Sequence, residues 1–132
     1  MTIPLNIYYF GILIYIVSHN LVYSKSEGDR KLPAALDRKI DFSKEVKPIL
    51  ERSCTNCHAR GKDKGGFSID HVHSFMAGGD SGPAVLKGRG DQSSLIDLLL
   101  SNDPEIKMPS KGQQLTLNEV AIIRTWIDQG MD

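Results

Sequence analysis

Cys54-Thr55-Asn56-Cys57-His58 is the stretch whose residue types and spacing can do chemistry. Its two cysteines are the only ones in the 132-residue chain, and a histidine follows the second at once. Each thiol can add across one vinyl group of a haem and form a thioether. Two intervening residues let the backbone turn so that both sulfurs reach the same porphyrin edge. The adjacent imidazole then lies under the iron as its proximal ligand. Three other chemistries use similar residues. A redox dithiol needs C-x-x-C near a strand–helix–strand pattern, and no such alternation surrounds Cys54. A disulfide between these cysteines would close a very small, strained loop. A structural zinc site wants four ligands, here Cys54, Cys57, His58 and either His71 or His73. The pattern favours one covalently attached haem c and its iron.

A histidine on one side of the iron leaves the sixth position to be decided. A methionine there suits electron transfer. Met1 and Met131 are terminal. Met76 falls on an expected short helix next to glycines. Met108 falls in a loop between two helices, before Pro109, which biases the preceding residue toward an extended form. Met108 is the preferred ligand, with Met76 and a second histidine, His71 or His73, as the alternatives. His71 and His73 otherwise read as exposed helix surface.

The elements that must position these residues follow from local patterns. Phe42, Val46, Ile49 and Leu50 recur at one helical face leading into Cys54. Ser43 is a candidate N-cap, and Pro48 moves the expected regular start toward Lys47. Residues 59–66 are a polar loop, and Phe67 and Ile69 form a short extended piece. Asp70 is expected to cap a brief helix over 71–77, ended by Gly78-Gly79. Asp80-Ser81-Gly82-Pro83 is a turn, and Ala84-Val85-Leu86 reads as lining for the haem edge. The glycines of 78–90 are not a phosphate loop, since no Gly-Lys-Ser/Thr element follows. Ser93 or Ser94 caps the next helix, which carries Leu95 to Leu100 and stops at Asn102-Asp103-Pro104. Thr116-Leu117-Asn118-Glu119 is a capping box, with Leu115 and Val120 placed as a hydrophobic staple. Val120, Ile123, Trp126 and Ile127 line one face of that last helix, while Ala121, Ile122 and Arg124 take other faces.

Composition bounds the rest. The length implies one folded domain. Sixteen basic and sixteen acidic residues balance, so no basic face points to nucleic acid. The run from Ile3 to Val17 is almost wholly apolar, and its fifteen residues fit a signal-peptide core better than a full membrane span. Val22-Tyr23-Ser24 offers a cleavage site after Ser24. No Lys or Arg precedes the run and several follow it, which keeps an uncleaved anchor over residues 3–23 as the second reading. The expected organisation is a signal or anchor over 1–24, a linker over 25–40 and a haem domain over 41–132. The expected location is exported, in the periplasm or cell envelope, with membrane contact only through that first segment.

Several stretches resemble planctomycete-type cytochrome c domains in kind and order. They are Asp41-Phe42, Val46-Lys47-Pro48-Ile49-Leu50, Cys54 to His58, Gly65-Gly66-Phe67 and Gly78 to Ala84. Gly88, Ser94-Leu95-Ile96, Met108-Pro109 and Trp126 to Gly130 continue the series, so the resemblance covers about residues 41–130. It implies an all-α, class I cytochrome c-like bundle of three to four helices wrapped around one haem, with long loops. It also implies His58 and Met108 as axial ligands. The family often shows Met-Pro-Pro where this chain has Met108-Pro109-Ser110. Such domains commonly stand at the start of longer exported proteins, so the implied partner is a redox protein or a fused domain. The leading function is single-electron transfer, with no residue acting as catalytic acid, base or nucleophile. The alternatives are a peroxidase-like or redox-sensing iron with an open sixth position, using His71 or His73, and a non-haem zinc module.

Overall fold

Pro48 shapes the start of the folded body. It has no N–H to donate, and its ring crowds the carbonyl four residues back. The computed structural model, which describes residues 31–132, accommodates it with a wide turn. Residues Phe42–Val46 form a π-helical turn in which the Lys47 N–H reaches Phe42 O. Helix α1, Lys47–Ser53, then starts with Pro48 in its first turn, where no donor is missed. Asp41 caps the entry, its Oδ1 accepting from the Lys44 N–H at 3.0 Å. The cap is therefore Asp41 rather than Ser43, because the wider turn starts two residues earlier than an α-helix opening at Lys44 would.

A one-turn helix α2, Thr55–His58, follows after a break at Cys54. Helix α3 covers Val72–Ala77, α4 Ser94–Leu100 and α5 Leu117–Asp128. Single 3-10 turns occupy Lys64–Gly66 and Gly90–Gln92. The described residues are thus all helix and loop, as expected, with five α-helices in place of three to four because the haem motif makes a turn of its own. Gly79 and Gly82 form a single bridge inside the 78–83 turn.

The core joins Val46, Ile49 and Leu50 of the first segment to Ile96, Leu99 and Leu100 of α4 and to Val120, Ile123, Trp126 and Ile127 of α5. Leu115 and Val120 are both buried at the α5 entry. The capping box is closed, with Thr116 Oγ1 accepting from the Glu119 N–H and Glu119 Oε2 accepting from the Thr116 N–H. Gly130, at φ 91°, ends the helix in the left-handed region that suits glycine.

Helix α5 is buried on more than the expected face, since Ala121, Ile122 and Thr125 are covered too. Part of the reason is the stretch read as a linker. Its described portion runs along α5 and is tied to it. Thr125 Oγ1 accepts from the Leu36 N–H at 2.8 Å, and Gln129 Oε1 accepts from the Ile40 N–H at 2.9 Å. Gln129 Nε2 donates to Arg38 O at 2.7 Å, and Arg124 donates to Pro33 O. Ile40 is only 2 % exposed. Residues 33–40 are therefore part of the folded body. Charge and Pro33 hid this because the apolar anchors, Leu36 and Ile40, are too few to make a period.

Candidate functional site

The break between α1 and α2 sets the geometry of the motif. Cys54 donates its N–H to Leu50 O at 2.8 Å and so closes α1. Its own carbonyl then accepts from Cys57 N–H at 3.2 Å and His58 N–H at 3.0 Å. Cys54, Cys57 and His58 thus stand at i, i+3 and i+4 of one turn, the spacing that puts side chains on a single face. Both thiols are unpaired and half-buried. Burial pushes the Cys54 thiol up to about 11, so it stays protonated at neutral pH. Cys54 packs against the apolar core, as do Phe67, Ile69, Met76, Ala84 and Met108.

His58 is oriented by a backbone carbonyl. Its Nδ1 lies 3.1 Å from Phe67 O. A carbonyl can only accept, so Nδ1 must carry the proton of the neutral ring. The lone pair is then left on Nε2, the atom a metal ligand needs, and the bond to Phe67 O fixes the orientation of the ring. The Phe67 ring also meets the imidazole edge-on, with centroids 5.2 Å apart. Nothing in the motif's five residues signals this partner nine positions on. The Gly65-Gly66-Phe67 stretch was visible as a pattern but not as a support.

That support is itself held by close packing. The Ile69 N–H donates to His58 O at 2.7 Å, and the Asp80 N–H donates to Gly65 O at 2.8 Å. A Cβ on Gly79 would lie 2.4 Å from Gly65 O and 3.1 Å from Phe67 N. The Gly78-Gly79 turn therefore presses directly on the segment that presents Phe67 O to His58. Asp70 serves the same loop. It does not cap α3, whose N-cap residue is His71 with no side-chain bond. Instead Asp70 Oδ1 accepts from the Arg60 N–H at 2.8 Å and Oδ2 from the Gly61 N–H at 3.3 Å, which holds its carboxyl below the usual range. Arg60, at φ 60°, needs that help, since a non-glycine residue there is strained.

Met108 is half-buried between α4 and α5, and its N–H donates to Leu98 O at 2.9 Å. Met76 is half-buried on α3. His71 and His73 are exposed. Val85 is buried and Ala84 half-buried, while Leu86 is exposed. Ser93 makes no cap bond to α4. Its hydroxyl instead donates to Arg89 O and accepts from the Leu86 N–H, which pins the strip expected to line a haem.

Among the described residues, no three His, Cys, Asp or Glu side chains gather as a metal-holding group. The zinc set of Cys54, Cys57, His58 and His71 or His73 is not assembled. A haem needs a different set: two thiols on one face, an imidazole with a free Nε2 and an apolar surround. Those are present. Residues 54–112 match the family model described as Planctomycete cytochrome C. This segment is a planctomycete-type cytochrome c domain. The match to the cytochrome c family opens at Cys54 and closes at Gly112, so it holds both the C-x-x-C-H turn and the Met108 loop. In the chain, this cytochrome c segment is completed by α1 on one side and α5 on the other. No curated protein and no solved structure matches the chain.

Proposed function

We propose that the domain binds one haem c covalently and passes single electrons. The observation that carries this reading is the His58 tautomer, with Nδ1 committed to Phe67 O and Nε2 left for iron, beside two unpaired thiols on the same turn. A bound haem supplies the one-electron ferrous–ferric couple. The chain's own part is to fasten the ring through Cys54 and Cys57 and to ligate the iron with His58 and Met108. It also surrounds the group with apolar side chains. Polarizable sulfur from Met108 favours the ferrous state relative to a second imidazole. An open, peroxidase-like iron has less support, because the histidines it would use, His71 at the N-cap of α3 and His73 on it, are exposed.

The partner in this reading is a redox protein or a domain fused to this one. Export to the periplasm or cell envelope is part of the same proposal, since haem c is attached outside the cytoplasm in bacterial systems. Its sequence basis, the apolar run and the Ser24 cleavage site, lies outside the described residues. Among the described residues no helix is long and apolar enough to cross a membrane.

The test is expression with a c-type maturation system. One haem should survive acid–acetone extraction from the wild-type chain. Cys54→Ala and Cys57→Ala should each leave one thioether, and the double variant none. Met108→Ala should abolish the far-red thioether-to-iron band, lower the reduction potential and open the iron to cyanide. Met76→Ala should do none of these. A colourless protein that takes up zinc would overturn the proposal.

A further inference from the structure

The loop between α4 and α5 carries a side chain that the proposed function does not use. Gln114 Nε2 donates to Pro109 O at 2.6 Å. Its Oε1 is buried and has no hydrogen-bond partner among the described residues. Turning the amide over would set two oxygens against each other, so the assignment of donor and acceptor is fixed. A buried amide with one end unsatisfied costs free energy that a leucine or methionine of similar size would not. The loop retains the amide, and its one bond goes to the residue next to Met108.

The placement explains the use. On one side, the Met108 N–H is held by Leu98 O of α4. On the other, Pro109 O is held by Gln114, which directly precedes buried Leu115 and the closed capping box of α5. The Met108 backbone is thus fastened between two helices by two bonds on either side of its Cα. Residues 110–113 between them are exposed and make no such tie.

We infer that Gln114 is the positioning residue for the Met108 sulfur, setting how firmly the sixth iron position is held against other ligands. This rests on Met108 being that ligand. Gln114 does not touch the iron; it acts by limiting how far the Met108–Pro109 segment can swing outward.

The experiment uses the full chain loaded with haem. Imidazole is titrated onto the ferric protein at fixed pH while the far-red thioether band is followed. Loss of one hydrogen bond that serves only the Met-bound form should raise imidazole affinity by about tenfold, or about 1.4 kcal/mol. Gln114→Leu should show that rise with the haem and His58 ligation retained. Gln114→Glu supplies a second variant. Its ionised carboxyl faces Pro109 O with no donor, so the band should weaken at neutral pH and recover on acidification, when the protonated group can donate. A purely structural role would lower the urea midpoint without these changes at the iron. Wild-type imidazole affinity and a wild-type, pH-independent band in both variants would overturn the inference. If Met108→Ala kept the band, the ligand assignment itself would fall and the inference with it.

Discussion

Gly79→Ala tests the link between the glycine turn and His58, the proposed proximal ligand. Gly79 has no positive φ, so its need for glycine is spatial. An added Cβ would stand 2.4 Å from Gly65 O and 3.1 Å from Phe67 N. Ordinary contact requires the 65–67 segment to retreat by about 1 Å, and overpacking of this kind costs about 1–3 kcal/mol. The retreat carries Phe67 O away from His58 Nδ1, now at 3.1 Å. A hydrogen bond contributes about 0.5–1.5 kcal/mol net. In the proposed haem-bound form this bond would make the imidazole a stronger ligand and so favour ferric iron. Weakening it should raise the reduction potential, by about 20–65 mV at about 59 mV per tenfold for one electron. The control is Gly88→Ala. Gly88 has φ 76° and nothing within 4 Å of the added Cβ, so its cost of about 1 kcal/mol is backbone strain alone. Potentiometric titration of both haem-loaded variants gives the answer. An unchanged or lowered potential in Gly79→Ala, or an equal rise in Gly88→Ala, would refute the reasoning.

Ile40→Ala should destabilise the protein by about 2–5 kcal/mol in urea unfolding, the range for a fully buried aliphatic side chain. A loss under about 0.5 kcal/mol, as for ordinary surface sites, would mean that residues 33–40 are a loose linker after all. Thr116→Ala should cost about 0.5–2 kcal/mol through the lost cap, and Trp126→Ala about 3–5 kcal/mol, since the ring is buried against Phe42 and Phe75. Glu45, paired with Arg38, is held down at about 2, chiefly by the Arg38 hydrogen bond. A lowered carboxyl adds stability above its unfolded value, near 4.5, and loses it as pH falls toward 2. Glu45→Gln should therefore flatten the acid side of the unfolding profile across that window. An identical acid limb in both proteins would exclude the pair as a contributor.

Helix α5 was legible almost residue by residue, because its box, staple and terminal glycine are local signals that packing does not override. The helical start near Lys47 was equally visible, since proline states where a donor is missing. Other features depended on contacts distant in sequence. Asp41 and Ser43 are both competent caps, and only the π turn chooses between them. Asp70 precedes a short helix as a cap would, yet two backbone donors ten and nine residues earlier take its carboxylate. Cys54, Cys57 and His58 were evident from spacing. Their support from Phe67 and the Gly79 turn is made of carbonyls and close approaches, which have no residue type to announce them. The arm over 33–40 was misread because two anchors and a few side-chain bonds to α5 leave no periodic trace.

The clasp of that arm on α5 also bears on the order of events as the chain emerges. Leu36, Ile40 and Arg38 are fastened by residues 89 to 91 positions later. Closing so long a loop is entropically costly until both ends exist. Until residues 117–129 have been made, the first segment lacks its cover and the core lacks Val120, Ile123, Trp126 and Ile127. The thiols of Cys54 and Cys57 are then carried on an unclosed chain, accessible to the haem attachment proposed above. Docking of the last helix shuts that interval. Connectivity thus makes closure of the core wait for the last helix to dock.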